Sequence, residues 1–301
     1  MLKSVTKPKM FGRHDASCYS AIGTPATVLK LPFSDGSYQG VHPSAIYFPY
    51  GWAGYKFWML VTGYLGGDNN TENPHIFASQ DGIQWIVPDG ITNPIEPIPV
   101  SPICNMDPEL VYDPVLNVLR CYSINSDLGD RYRILHPDMT LDDDVIIHKH
   151  ATDMVIRIAS DNWYGFLGRY KVRYHSADGY IFNEPSGSYS TNLDGGSISP
   201  WHLSIFYDQM GDGLYHWLYC WYPTASGNGV TSLYHGTTVN ITDNPTNLTL
   251  IMSPGTAGWT YYQIYRSCMV NLGSQKRIYI SARGTGYSPY EWHIGYIDGL
   301  V

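Results

Sequence analysis

The stretch HPSAIYFPYGWAGYKFWMLVTGY, from His42 to Tyr64, holds two apolar, aromatic segments joined by the Gly-containing sequence YGWAGY. Strand-forming residues on both sides of a short Gly-containing connection predict a β-hairpin. The more polar segment NPHIFASQDGIQW follows and predicts a further strand outside the hairpin. We therefore interpret residues 42–85 as one antiparallel unit.

The same unit recurs along the chain. Its inner hairpins begin at His42, Asp107, Asp153, Ser199 and Tyr265. These starts lie 65, 46, 46 and 66 residues apart, and a four-stranded propeller blade takes roughly 40–50 residues. We predict an all-β fold, a single five-bladed β-propeller over residues 42–301, with residues 1–41 as an N-terminal arm and closing strand. The alternative, a two-sheet sandwich with an appended module, does not account for five similar units.

Composition and charge exclude several classes of protein. The 301 residues are 44% hydrophobic and 15% charged, as in soluble globular domains. No apolar run approaches the roughly 20 residues of a membrane helix, and the first residues lack the apolar core of a secretory signal. A net charge of −8 with 18 Lys and Arg argues against a nucleic-acid partner. The five cysteines form no Cys-x-x-Cys pair, so we predict no disulfide framework, no zinc site and no cofactor.

The aromatic content is high, with 26 Tyr, 9 Trp and 8 Phe. Aromatic rings combine apolar faces with polar edges, which suits contact with sugars or other proteins. Packing between blades is the alternative for any single ring. We predict Trp52, Trp163 and Trp201 as carbohydrate-binding residues, with Trp52 and Trp163 exposed because each lies in a hairpin tip.

Residues at the starts of the innermost strands of a propeller form one ring around the central channel. In this chain the ring contains His42-Pro43, Asp107-Pro108, Thr152-Asp153, Ser199-Pro200 and Arg266-Ser267. Two carboxylates in one funnel are the groups that glycoside hydrolysis requires. We predict Asp107 and Asp153 as catalytic candidates, and His42 and Arg266 as ligand-binding residues. Capping of a turn at the strand entry is the alternative for both carboxylates.

Glu72 is a third carboxylate candidate. It lies in the polar, Gly-rich loop LGGDNNTENP, and it joins Asp107 if this loop folds over the channel. The alternative is a carboxylate that accepts hydrogen bonds from loop amides. His42 has no partner at the sequence spacing of a metal site, so we predict no metal ligands.

The blade starts resemble those of the arabinanase, β-xylosidase and invertase-type glycosidases. In these five-bladed propellers an Asp-Pro begins the first blade, an Asp the second and a Glu the third. Asp107-Pro108 matches the second element, but His42-Pro43 stands at the first and Asp153 at the third. An imidazole cannot form the same glycosyl ester, and displacing a group by about 1 Å can cost about 10²-fold in rate. The resemblance implies the fold, whereas the departures argue against this family's chemistry.

Residues 42–122 also resemble a propeller of bacteriophage tail and fibre proteins and some bacterial surface proteins. The shared elements are Glu-Asn-Pro, Ser-x-Asp-Gly-x-x-Trp and Asn-Pro-Ile, in that order. This resemblance implies a virion protein of the tail, fibre or baseplate, which uses the propeller for assembly and host-glycan contact, in a catalytic or a non-catalytic version. The departures at His42 and Asp153 favour the non-catalytic version.

The virion interpretation also predicts partners and location. The expected partners are other virion proteins and host surface carbohydrate, with no membrane insertion, in a homo-oligomer or ring within the particle. The protein would assemble in the host cytoplasm. The alternative function is a glycoside hydrolase acting on a host-envelope or plant-type polysaccharide through Asp107, Asp153 and Glu72.

Overall fold

The computed structural model describes residues 28–143, 145–148, 154–159, 162–167, 172–182, 184–188, 200–209, 211–221, 231–246, 248–255, 258–260, 262–284 and 292–300. Their strands form five antiparallel sheets, which confirms the predicted all-β, five-bladed propeller. Within these ranges, no helix has the length and apolar character needed to cross a membrane.

Each blade is a meander in which strand order follows chain order. Blade 1 contains β1 (Gly40–Trp52), β2 (Tyr55–Gly63), β3 (Asn73–Ser79) and β4 (Trp85–Ile86). Blade 2 contains β5 (Asn105–Asp113), β6 (Val118–Asn125), β7 (Gly129–Leu135) and β8 (Val145–His148). Blade 3 contains β9 (Met154–Ala159), β10 (Asn162–Leu167), β11 (Val172–Ser176) and β12 (Glu184–Ser188). Blade 4 contains β13 (Pro200–Tyr207), β14 (Tyr215–Trp221), β15 (Ser232–Thr238) and β16 (Thr249–Met252). Blade 5 contains β17 (Gln263–Asn271), β18 (Lys276–Arg283) and β19 (Trp292–Leu300).

The five innermost strands close a ring around the central channel. Strand β1 contacts β5 and β17, β5 contacts β9, and β13 contacts β9 and β17. On the outer side of blade 5, Val28 bridges Gly295, and the Leu29 amide donates to the Ile294 carbonyl at 2.7 Å. An N-terminal segment therefore lies against the last strand of the chain, where it covers a sheet edge.

The space between blades is filled by large apolar side chains. Trp58 and Trp217 are completely buried, and Cys121, Cys220 and Cys268 are buried within their strands. Strands β2, β3 and β14 are buried along nearly their whole length, because both faces of a blade pack against neighbouring blades. The three cysteines are the small buried hydrophobes that their strand positions favour.

The Ser-x-Asp-Gly turn of blade 1 binds the neighbouring blade 5. The Tyr279 hydroxyl donates to the Gly82 carbonyl at 3.0 Å, and Arg277 Nη1 donates to the Asp81 carbonyl at 3.1 Å. The Ser79 hydroxyl, in turn, accepts from the Gly82 amide at 2.9 Å and holds the turn in shape. This motif thus joins two blades.

The Ser-x-Asp-Gly turn of blade 3 binds blade 2 in the same way. The Tyr122 hydroxyl donates to the Gly179 carbonyl at 2.7 Å, and Arg120 Nη1 donates to the Asp178 carbonyl at 2.7 Å. In both pairs of blades an Arg-x-Tyr sequence on a second strand receives the turn. The repeated Ser-x-Asp-Gly turn therefore joins neighbouring blades by hydrogen bonds.

We expect Gly179→Ala to destabilise the propeller strongly. Gly179 has φ +71°, and an added Cβ would lie 2.5 Å from Cδ2 of the buried Trp163 ring. Gly36→Ala is the matched control, because Gly36 has φ +68° but no atom within 4 Å of an added Cβ. The left-handed backbone costs both variants about 1–3 kcal/mol, and the clash adds roughly 1–3 kcal/mol at Gly179. Thermal unfolding gives the Tm of both variants. An equal fall in Tm for the two would contradict this packing.

The prediction that Trp52 and Trp163 are exposed is wrong. Trp52 is 6% exposed, and its Nε1 donates to Asn117 Oδ1 at 3.0 Å. Trp163 is fully buried, with the guanidinium carbon of Arg120 4.3 Å and that of Arg157 5.4 Å from its ring. Both rings lie in strands and pack against other side chains of the propeller, so neither ring offers a free face to a sugar.

Candidate metal centre

Two functional side chains lie at β-bulges near the starts of innermost strands. Strand pairing is irregular between Val41 and Ser44 in β1, and between Met106 and Glu109 in β5. Within these bulges His42 has φ 55° and Asp107 has φ 50°. Positive φ at a residue that is not Gly costs of order 1–3 kcal/mol and is concentrated at functional sites. A bulge also redirects its side chain, here into the channel mouth.

His202 is the functional residue that sequence reasoning missed. It follows an irregularity between Pro200 and His202 in β13, at the start of the innermost strand of blade 4. In blades 1 and 2 the functional residue directly precedes Pro, whereas His202 comes two residues after Pro200. Matching the X-Pro dipeptides therefore selected Ser199. The bulge, and not the dipeptide, is the feature that the three blades share.

His42, Asp107 and His202 meet at one point, each from a different blade. One donor atom from each side chain lies within 4.8 Å of the others, and all three residues are buried. His42 Nε2 lies 3.2 Å and His202 Nδ1 lies 3.7 Å from Asp107 Oδ1. Donors about 2.1 Å from a tetrahedral metal ion lie roughly 3.4 Å apart. The spacing is therefore that of a set of metal ligands.

The donor atoms at this point have no hydrogen-bond partner among the described residues. They are His42 Nε2, Asp107 Oδ1 and both ring nitrogens of His202. Buried polar atoms in folded proteins are almost always paired. Although His42 Nε2 is close to Asp107 Oδ1, their geometry is not that of a hydrogen bond. The lone pairs of all three groups are available to a cation.

Both imidazoles are held in the neutral form, which is the form of histidine that binds metals. Burial, with the nearby Arg266 charge, holds the pKa of His42 well below its ordinary value. Burial also lowers the pKa of His202 to about 3, although the Asp107 carboxylate opposes this shift. Neutral imidazoles and one carboxylate leave a single negative charge, which suits a divalent cation.

Thr62 fixes the orientation of His42. Its Oγ1 lies 3.0 Å from His42 Nδ1, and both residues are buried. If Nδ1 donates this bond, Nε2 carries the lone pair and faces Asp107. Ligating histidines usually have their second nitrogen held in this way, which sets the tautomer and the ring position.

Glu72 lies at the same mouth of the channel. Burial and the charge of Asp107 raise the pKa of Glu72 to about 8. The Asn105 amide donates to the Glu72 carbonyl at 3.0 Å, two residues before Asp107. The charge of Glu72 also helps burial raise the pKa of Tyr64 to about 12. A carboxyl group with a pKa near neutrality is equipped for proton transfer.

An aromatic group lines the same region. The Tyr265 ring lies 5.1 Å from His42 and 4.6 Å from His202, centroid to centroid. Trp201 Nε1 donates to the Tyr265 hydroxyl at 2.5 Å, and the Trp201 ring is half-buried. Trp292 lies 4.9 Å from Tyr265 on another side. Trp201 is thus the predicted tryptophan that the structure places beside the metal ligands.

The remaining predicted residues have different positions. Arg266 is 1% exposed and forms an ion pair with Glu109, so its side chain is part of the interior beneath the mouth. Asp153 lies outside the described residues. Of the predicted candidates, the structure therefore brings together His42, Asp107, Glu72 and Trp201.

Comparisons with known proteins agree with this picture of the fold. No family model matches the chain. A curated A type blood N-acetyl-α-D-galactosamine deacetylase of Flavonifractor plautii is 35% identical over 94 residues, which are 30% of this chain and 12% of that protein. The crystal structure of an N-acetylgalactosamine deacetylase from F. plautii, in complex with blood group B trisaccharide, has a TM-score of 0.76 at 21% identity and covers 91% of this chain and 94% of that one. The catalytic domain of a Coprinopsis cinerea GH62 α-L-arabinofuranosidase has a TM-score of 0.59 at 11% identity, over 91% and 96% of the two chains.

The chain shares its fold with the five-bladed propellers of carbohydrate-active enzymes. The predicted resemblance to glycosidase propellers is confirmed at the level of fold. The prediction of a non-catalytic bacteriophage virion protein is wrong, because these similar proteins are enzymes that act on sugars. The findings support the alternative prediction, a glycoside hydrolase, better than the virion interpretation.

The motifs behind the virion prediction have a structural explanation. Ser79, Asp81 and Gly82 form the turn that binds blade 5. Asn93 of Asn-Pro-Ile exchanges two hydrogen bonds with the backbone of Ile76, each 2.9 Å long. Trp85 is buried in the core. These residues build a blade, so they occur wherever this blade is built and do not indicate a virion.

Proposed function

We propose that this protein is a metal-dependent hydrolase that removes the acetyl group from an N-acetylated amino sugar of a glycan. The observation that carries the proposal is the convergence of unpaired, buried donor atoms from His42, Asp107 and His202. Two imidazoles and a carboxylate form the ligand set of many hydrolytic metal sites, in which further positions stay open. The deacetylase that matches part of the chain supports this choice of reaction.

His42, Asp107 and His202 would hold a divalent cation at the channel mouth. Such a cation polarises a carbonyl group and lowers the pKa of water. His42 and Asp107 are fixed by their bulges, and His42 also by Thr62, so their donor atoms are in place before substrate arrives. The aromatic rings of Trp201 and Tyr265 offer an apolar surface beside them for the faces of a sugar.

Glu72 transfers protons in the proposed reaction. Water adds to the amide carbon, the C–N bond breaks, and the products are acetate and the free amino sugar. The nitrogen needs a proton in order to leave. Burial is the main cause that raises the pKa of Glu72 to about 8, and it favours the protonated carboxyl group that would supply this proton.

A glycoside hydrolase is the second candidate. It is favoured by the solved propeller of the GH62 arabinofuranosidase and by the electrostatic proximity of Glu72 and Asp107, which provides two carboxyl groups at one site. Against it, Asp107 Oδ1 lies 3.2 Å from His42 Nε2 and 3.7 Å from His202 Nδ1, a grouping that suits a cation ligand better than a catalytic carboxylate. We therefore prefer hydrolysis of the amide.

One assay separates the two reactions. Purified protein, supplied with Zn²⁺, Mn²⁺ or Co²⁺, is incubated with glycans that end in N-acetylgalactosamine or N-acetylglucosamine, and both acetate and reducing ends are measured. We expect acetate without reducing ends, and no acetate from Asp107→Ala. Reducing ends without acetate would identify a glycoside hydrolase. If neither product forms, both functions are contradicted.

Thr62→Val tests the support of His42. Valine keeps the shape of threonine but removes the oxygen that holds Nδ1, so the metal affinity should fall by about 10–100-fold. Thr238→Val is the matched control, because Thr238 is also buried and accepts from Trp217 Nε1 at 2.8 Å in blade 4. Isothermal titration with Zn²⁺ measures both. Equal affinities in the two variants would show that Thr62 does not position the ligand.

A further inference from the structure

A buried ion pair crosses the channel beneath the metal ligands. Arg266 Nη2 of blade 5 binds Glu109 Oε2 of blade 2, and the two side chains are 1% and 11% exposed. The Ser44 hydroxyl of blade 1 donates to Glu109 Oε1 at 3.0 Å and accepts from the Leu110 amide at 3.0 Å. One polar network therefore joins three blades near the axis.

Each member of this network is close in sequence to a part of the candidate metal centre. Ser44 lies two residues after His42, and Glu109 lies two residues after Asp107. Arg266 follows Tyr265, whose ring packs against His42 and His202. Ser44 and Glu109 also line a 520 Å³ cavity between the innermost strands, whereas the three candidate ligands do not line it.

Burying this ion pair costs free energy, because both charges lose their contact with water. Arg266 Nε and Nη1 have no hydrogen-bond partner within the described parts of the chain. Replacing a buried ion pair by apolar residues is often neutral or stabilising. Stability therefore does not explain why this buried polar network is present. Functional sites are where proteins keep arrangements that cost stability.

We propose that the Glu109–Arg266 pair, with Ser44, is the positioning element of the metal centre. It fixes the lateral spacing of β1, β5 and β17, and thereby the distance between His42, Asp107 and the ring of Tyr265. The inference rests on the proposed function, because it assumes that the three ligands bind a cation. The pair itself touches neither cation nor substrate.

The test uses a charge-neutral replacement. Glu109→Gln combined with Arg266→Met removes one charge of each sign, so a change in metal affinity reports position and not net charge. The matched control is Asp298→Asn combined with Arg277→Met, which removes a two-pronged pair of 2.7 and 2.8 Å in blade 5, away from the ligands. Co²⁺ serves as the probe, since its visible spectrum reports ligand geometry as well as affinity.

We expect the Glu109/Arg266 double variant to bind Co²⁺ about 10–100-fold more weakly, with an altered spectrum. The control should keep wild-type affinity and spectrum even if its Tm falls. If the double variant does not fold, Arg266→Lys decides, because it keeps the charge and loses the planar fork; its affinity should also fall.

Three outcomes overturn the inference. Wild-type Co²⁺ affinity and spectrum in the double variant, or in Arg266→Lys where that variant decides, show that the pair positions nothing. Equal weakening in the control shows a loss of general stability. Absence of Zn²⁺, Mn²⁺ and Co²⁺ binding by the wild-type chain overturns the proposed function itself, which separates that failure from the first two.

Discussion

His202→Ala should abolish acetate release and lower the affinity for divalent cations by more than about 100-fold. Loss of a residue that only supports a metal ligand lowers metal affinity about 10–100-fold. His202 is one of the three proposed ligands itself, so its loss should have a larger effect. Its two ring nitrogens are buried and unpaired within the described residues. Burial keeps the imidazole neutral, with its pKa lowered to about 3. Equilibrium dialysis with Zn²⁺ and an acetate assay measure the two effects.

His75→Ala provides the matched control. His75 is 1% exposed, and its Nδ1 lies 2.8 Å from the Asn73 carbonyl oxygen, so it is a buried histidine in a different contact. Its loss should lower Tm and leave the metal affinity unchanged. Retained Zn²⁺ binding in His202→Ala would show that the three groups are not a ligand set.

Glu72→Gln should lower kcat by about 10²–10⁴-fold, the usual contribution of general acid-base catalysis. Glutamine keeps the size of the side chain and cannot transfer a proton. Because Glu72 is not among the three ligands, metal affinity should stay near that of the wild type. Steady-state acetate release gives kcat and KM separately, and the loss should appear in kcat.

Glu96→Gln controls for the removal of a buried carboxyl group. Glu96 is 3% exposed, burial raises its pKa to about 7, and it lies 3.5 Å from Arg131 in the same part of the molecule. Its variant should retain activity. A kcat for Glu72→Gln within about threefold of the wild type would remove Glu72 from the proposed mechanism, since proton transfer is worth at least about 10²-fold.

The propeller is readable from the sequence because its units repeat. Five aromatic hairpins, each followed by a more polar strand, can bury their faces together only as a ring of blades. His42 and Asp107 were found because each precedes a proline at the start of an innermost strand. His202 has a different local sequence and reaches the site through a bulge, which no dipeptide reveals.

Other errors also have physical causes. Trp52 and Trp163 were predicted at hairpin tips, which are usually exposed, but they lie in strands β1 and β10 and their rings are buried. The prediction of no metal ligands stays untested; it relied on spacing along the chain, whereas the three proposed donors come from three blades. Their sequence separations of 65 and 95 residues follow from blade length and not from any local motif.

We propose that His42, Asp107 and His202 hold the cation that amide hydrolysis requires. The most direct measurement is acetate release from an N-acetylhexosamine-terminated glycan by chelator-treated wild-type protein, before and after titration with Zn²⁺, Mn²⁺ or Co²⁺. We predict no release in chelator, and a return of activity that saturates at one cation per chain. Full acetate release in chelator would contradict the claim.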